Sequence, residues 1–150
     1  MKYEQLMSEY GASINMSDME VDPAGAVFEF DGTSVVVRPN ADGDRILIMA
    51  VIGSIPEARQ NQVASKLLQL SFATAVNDGM AFAAGGENYY CMNSLLLAGL
   101  DAAAFENELI SLSRKVDAAR NLLDLERQAA SVEERHEREA AQAGGAFIQA

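Results

Sequence analysis

Cys91 is the side chain in this sequence with the most consequential chemistry, because a thiolate held beside a base is a nucleophile. It stands in "GENYYCMNSLLLAGLDAAAF", residues 86–105, inside a long uncharged run. A catalytic cysteine needs a base, usually histidine, and surroundings that lower its pKa. The single histidine, His136, falls in a polar stretch far along the chain. Free cysteine otherwise behaves as a small buried hydrophobe, so Cys91 reads as a strand residue. One His and one Cys cannot furnish a tetrahedral zinc site. Asn40, Asp42 and Asp44 beside Gly43 lack the downstream bidentate Glu of a calcium loop and read as a hairpin turn. Gly85-Gly86 lacks the Gly-Lys-Ser/Thr ending of a phosphate loop. The pairs Glu106/Glu108 and Glu133/Glu134 read as solvated helix surface, and serine-hydrolase chemistry has no usable histidine. The expectation is therefore no enzyme, with no catalytic residue, metal site or cofactor.

If the residues do not point to chemistry, they point to contact. The chain has 150 residues, 49% hydrophobic and 22% charged, the balance of one globular domain with a real core. It carries 22 acidic and 11 basic side chains, a net charge of −11. A surface this negative repels phosphate backbones and anionic lipid, so neither nucleic acid nor membrane is an expected partner. Residues 1–112 hold 15 acidic and 5 basic groups, whereas 113–150 hold 7 and 6, so the acidity belongs to the body. One cysteine excludes an internal disulfide, and "MKYEQLMSEYG" lacks the layout of a signal peptide. With no apolar run near the ~18 residues of a spanning helix, a cytoplasmic protein is expected.

Tyr3, Leu6, Met7 and Tyr10 stand at i, i+3, i+4 and i+7, predicting a short helix ended by Gly11. "AVFEFDGTSVVVRPN" predicts two strands joined at Asp31-Gly32, with Phe28 and Phe30 on one face and Glu29 on the other. After the turn "NADGD", the unbroken apolar run in "RILIMAVIG" predicts a central strand covered on both faces. Ser54 and Pro56 occupy cap and first-turn positions for a helix from Glu57 to about Asn77, closed by Asp78-Gly79. "MAFAA" and "NYYCMNSLLLA" predict two strands around Gly85-Gly86, with Tyr89, Cys91, Asn93, Leu95 and Leu97 on one face. Asp101 caps a last helix in which Phe105, Leu109, Leu112, Val116, Ala119 and Leu123 recur at helical spacing. A helix from 101 to 141 would span roughly 60 Å. A body of this size is about 40 Å across. The packed unit is thus expected to be residues 1–125, with 126–150 a polar extension, partly helical or disordered.

Two features exceed what one small core absorbs. The helix after Pro56 carries Val63, Ala64, Leu67, Leu68, Leu70, Phe72, Ala73, Ala75 and Val76, wider than the ~100° stripe that sits on one sheet. A second copy of the chain is the simplest cover. Met7, Met16 and Met19 also cluster around the first helix and its linker, and flexible thioethers suit surfaces that receive varied apolar groups.

The order α-β-β-β-α-β-β-α and the acidity are joined by "FEFDGTSVVV", "RILIMAVIGSIP", "ASKLLQLSFATA" before "NDG", and "SLLLAGLDAAAFENELISL". Over residues 1–125 the chain resembles the class I type III secretion chaperones, the Tir chaperone family. The resemblance implies an α+β fold, a twisted antiparallel sheet flanked by helices, assembled as a homodimer in the cytoplasm of a Gram-negative bacterium. It implies binding of the N-terminal segment of one or more secreted effectors, held extended and soluble for export, without a cofactor. It points to Val63, Leu67 and Leu70 as the dimer interface, and to Leu6, Met7, Tyr10, Phe28, Phe30, Val35 and Val37 as effector-binding residues. The extension after Leu125 is a candidate contact for other secretion components. A regulatory protein of the same fold that sequesters a cytoplasmic partner is the alternative.

Overall fold

The computed structural model describes residues 1–16, 20–54 and 57–148; Met19 and Pro56 lie outside them. Helix α1 spans Tyr3–Ser13, strands β1, β2 and β3 span Ala26–Phe30, Thr33–Pro39 and Arg45–Ser54, and a single 3-10 turn at Glu57–Arg59 leads into helix α2, Gln60–Asp78. Strands β4 and β5 span Ala81–Gly85 and Asn88–Leu96, and helix α3 runs from Ala102 to Ile148. The strands form one antiparallel sheet in the order β1-β2-β3-β5-β4. The α+β architecture and its element order are those expected from the sequence.

Local chemistry explains most of the joints. Asp31 and Gly32 both take positive φ, 49° and 70°, the conformation a two-residue hairpin requires if it is to match strand twist. Gly79 ends α2 in the left-handed region, its N–H donating to the carbonyl of Ala75. Asp101 accepts from the Ala104 N–H at 2.8 Å, capping α3. Three joints differ from expectation. Gly11 does not end α1 but lies buried within it; the reversal falls at Asn15, at φ 61°. Asparagine tolerates that conformation. Ser54 closes β3 against Asn88 rather than capping α2. In the β4–β5 turn, Gly85 completes β4 and Gly86 alone takes positive φ.

All helices pack on one face of the sheet. That face presents Val35 and Val37, the even-numbered residues Ile46 to Ile52, Phe82, and Tyr89 and Cys91, all buried. Tyr10 of α1 bridges the layers, its ring 5.9 Å from Phe28 and 5.1 Å from Phe105 in an edge-on contact. From α3, Phe105, Leu109, Leu112, Val116, Ala119 and Leu123 complete the core. Burying each large apolar side chain here contributes about 1.5–3 kcal/mol. Among the described side chains the last buried residue of α3 is Glu126, and the helix continues unbroken beyond it.

Arg120 ties α3 to the irregular end of β3. The register of β3 on β5 shifts between Val51 and Gly53, and the Arg120 guanidinium donates to the carbonyls of Val51 (2.9 Å) and Ile52 (3.1 Å) and to Thr33 Oγ1 (3.2 Å). Removing a charged donor from partly buried acceptors costs about 1.5–3 kcal/mol. Arg120→Ala should therefore lower unfolding stability by about 2 kcal/mol in denaturant titration without changing the fold.

Candidate functional site

Cys91 sits in the middle of β5 with no exposed surface. Burial is the main cause pushing its thiol up, to about 11, against smaller lowering effects from Lys115 and the Met92 backbone N–H. His136 is exposed on the far part of α3. The thiol is thus protonated and has no base beside it, the opposite of an activated nucleophile. Between pH 9 and about 11 the folded chain keeps this proton while the unfolded chain, with its thiol at the ordinary value of 9.0, releases it. Stability must fall as pH rises through that window. Tyr3 and Tyr10 add the same sign, each phenol raised first by burial, then by nearby carboxylates. Cys91→Ala should show a shallower loss of stability between pH 9 and 11 than the parent.

Five of the expected effector-contacting residues are interior: Leu6, Met7, Tyr10, Val35 and Val37 are at most 2% exposed. A ligand cannot touch them without opening the core. They belong to the buried core, where helical and strand periodicities both point inward. Phe28 and Phe30 are half-buried on the same inner face of β1, at the sheet's edge. Val63 and Leu67 are likewise interior, packed between α2 and the sheet, and Leu70 is half-buried beside them.

The uncovered apolar surface lies on the other side in both cases. On α2, Leu68, Phe72 and Val76 are 67%, 78% and 73% exposed. They stand at four-residue intervals, opposite Val63 and Leu67. Apart from Lys66, no residue from Gln60 to Asn77 is charged, and Lys66 turns away to pair with Glu126 of α3. An acidic protein thus carries one helix face free of carboxylates. Beside it, Ala64, Leu67, Leu68, Phe82, Ala83, Ala84 and Tyr89 line an apolar hollow of about 150 Å3.

The second surface is the sheet face turned away from the helices. The run in β3 that predicted cover on both sides is covered on one: Ile46, Ile48, Ala50 and Ile52 are buried, whereas Leu47, Met49 and Val51 are only half-buried. Strand register aligns Val27, Val36, Met49, Met92 and Ala81 in one row across all the strands. A second row joins Val51, Tyr90 and Ala83. Val27, on edge strand β1, is 69% exposed. Alternation along the strands carried the signal for this face, since the intervening residues are themselves apolar. What lies opposite could not be read from it.

The chain belongs to the Tir chaperone protein (CesT) family, whose model matches residues 5–122. Its fold is similar to the Yersinia pestis type III secretion chaperone SycH in complex with a fragment of YscM2, at 13% identity and TM-score 0.62, covering 78% of this chain and 98% of that one. It is also similar to the ExoU–SpcU complex from the type III secretion system of Pseudomonas aeruginosa, at 16% identity and TM-score 0.62, covering 76% and 94%. The HopA1–SchA chaperone–effector complex matches at 14% identity and TM-score 0.62, covering 79% and 93%. No curated protein matches the chain significantly. The family is one of chaperones rather than enzymes, and among the described residues no helix is long and apolar enough to cross a membrane.

Proposed function

We propose that this protein is a cytoplasmic, homodimeric type III secretion chaperone that binds the N-terminal segment of an effector and keeps it extended for export. The open apolar sheet face carries the reading. A row of apolar side chains running from Val27 to Ala81 is only half-buried or exposed among the described residues, and an open patch of this kind marks a binding surface. Met49 and Met92 at its centre can repack around different apolar anchors. Strand β1 has a free edge at one end of the sheet, which can pair with an extended segment through backbone hydrogen bonds, whatever its sequence. Phe28 and Phe30 flank that edge from the inner face, with Leu6, Met7, Tyr10, Val35 and Val37 holding them from beneath.

The homodimer rests on α2. Leu68, Phe72 and Val76 present a charge-free stripe on a chain of net charge −11. Two copies can meet there without bringing carboxylates together. Val63, Leu67 and Leu70 support that face from the inside. The chaperone unit, residues 1–125, is continued by the first turns of the 126–150 extension, where Glu126 pairs with Lys66 and Glu133 with Arg59; the exposed turns beyond are available to other secretion components.

The test is affinity capture from the native host, with mass spectrometry of what stays bound. A secreted protein retained through its N-terminal segment supports the chaperone reading. A cytoplasmic protein whose binding survives deletion of that segment would replace it with sequestration of a regulator.

A further inference from the structure

The homodimer proposed above leaves open what locks its two copies together, and the hollow beside α2 bears on this. It lies between α2 and strands β4 and β5, lined by Leu67, Leu68, Phe82 and Tyr89 with Ala64, Ala83 and Ala84, and none of its lining residues is charged. Its volume is about 150 Å3. An apolar cavity of about that size accepts a benzene ring. On the same helix, Phe72 holds its ring in solvent at 78% exposure. Phe72 cannot fill the hollow of its own chain, because it lies one and two turns along a rigid helix from Leu68 and Ala64, about 6 and 12 Å.

We infer that Phe72 of each copy seats in the α2–β4 hollow of the other, so that the dimer is locked by two reciprocal aromatic anchors. This rests on the homodimer reading. Symmetry supports the geometry. A two-fold axis perpendicular to α2 sets the two helices antiparallel and pairs residue i with a residue whose number completes a constant sum. An axis passing between Leu68 and Phe72 brings Phe72 of one copy over Leu68 of the other, and a shift toward Leu68 brings it over Ala64. Both residues line the hollow. The charge-free stretch from Leu67 to Asn77 permits this approach between two acidic chains. Large aromatic side chains seated in desolvated pockets supply most of the affinity at such interfaces.

The test uses two variants of the full chain, singly and mixed. Phe72→Ala removes the anchor and leaves the hollow open; Ala64→Phe fills the hollow and leaves the anchor in place. Circular dichroism and thermal melting establish that each is folded, and Ala84→Leu replaces Ala64→Phe if that variant is not. Each variant alone should dimerise about 100-fold more weakly than the parent by sedimentation. Their equimolar mixture should form heterodimer well above the statistical share in native mass spectrometry. In the heterodimer one anchor meets one open hollow, and the filled hollow faces alanine. A parent dimer unaffected by Phe72→Ala, with only statistical mixing, would overturn the anchor and leave the homodimer standing. A parent that sediments as monomer at micromolar concentration would overturn both.

Discussion

Met49→Asp should abolish effector capture while leaving a folded dimer. Met49 is half-buried at the centre of the outer sheet face, between Val36 and Met92 in the strand register. In the free protein an aspartate there keeps water on one side, so the fold tolerates it. In the complex the effector segment would cover it. The new carboxylate would lose its water without gaining a partner, at a cost of several kcal/mol. Binding should weaken by two to three orders of magnitude in calorimetry against the cognate N-terminal segment. Phe82→Ala, which truncates a buried side chain of the opposite face, supplies the contrast: it should lower the melting temperature. If Met49→Asp bound its effector as the parent does, the open face would not be the docking surface.

Leu68→Asp should convert the dimer to a folded monomer, whereas Leu67→Asp should unfold the chain. These neighbours differ by 100° around α2. Leu67 is 2% exposed and packed against the sheet, Leu68 is 67% exposed. A carboxylate at Leu67 would be forced into the protomer's own core, without a counter-charge, and would cost about 3–5 kcal/mol, comparable to the whole stability of a small domain. At Leu68 the same charge is solvated in the monomer and is desolvated only on association. Sedimentation and circular dichroism separate the outcomes: a monomer with native helix content for Leu68→Asp, and loss of cooperative melting for Leu67→Asp. A stable Leu68→Asp dimer would move the interface elsewhere.

The contrast between Leu67 and Leu68 marks where sequence reasoning stops. Periodicity identified α2 as apolar around more of its circumference than one sheet can cover. Both halves of that surface are made of the same residue types, so Val63 and Leu67 were as eligible for the interface as Leu68, Phe72 and Val76. A pattern records that a face is apolar, not what stands opposite it. The same limit applied to α1 and β2: Leu6, Met7, Tyr10, Val35 and Val37 form clean apolar faces, and in the fold those faces are part of the buried core.

The sequence by itself determined the order of elements, the hairpin at Asp31-Gly32, the closure of α2 at Gly79, the cap at Asp101, the inward faces of β5 and α3, and the inert character of Cys91. These follow from local rules: positive φ needs Gly, Asn or Asp, orphan helix amides need an acceptor, and burial repeats at the period of the backbone. The tertiary structure alone decided which side of β3 the helices cover, which half of α2 faces outward, and that the row from Val27 to Ala81 runs uninterrupted across strands distant in sequence. Each of these depends on pairing between segments many residues apart, where a shift of one residue would turn every strand side chain to the opposite face.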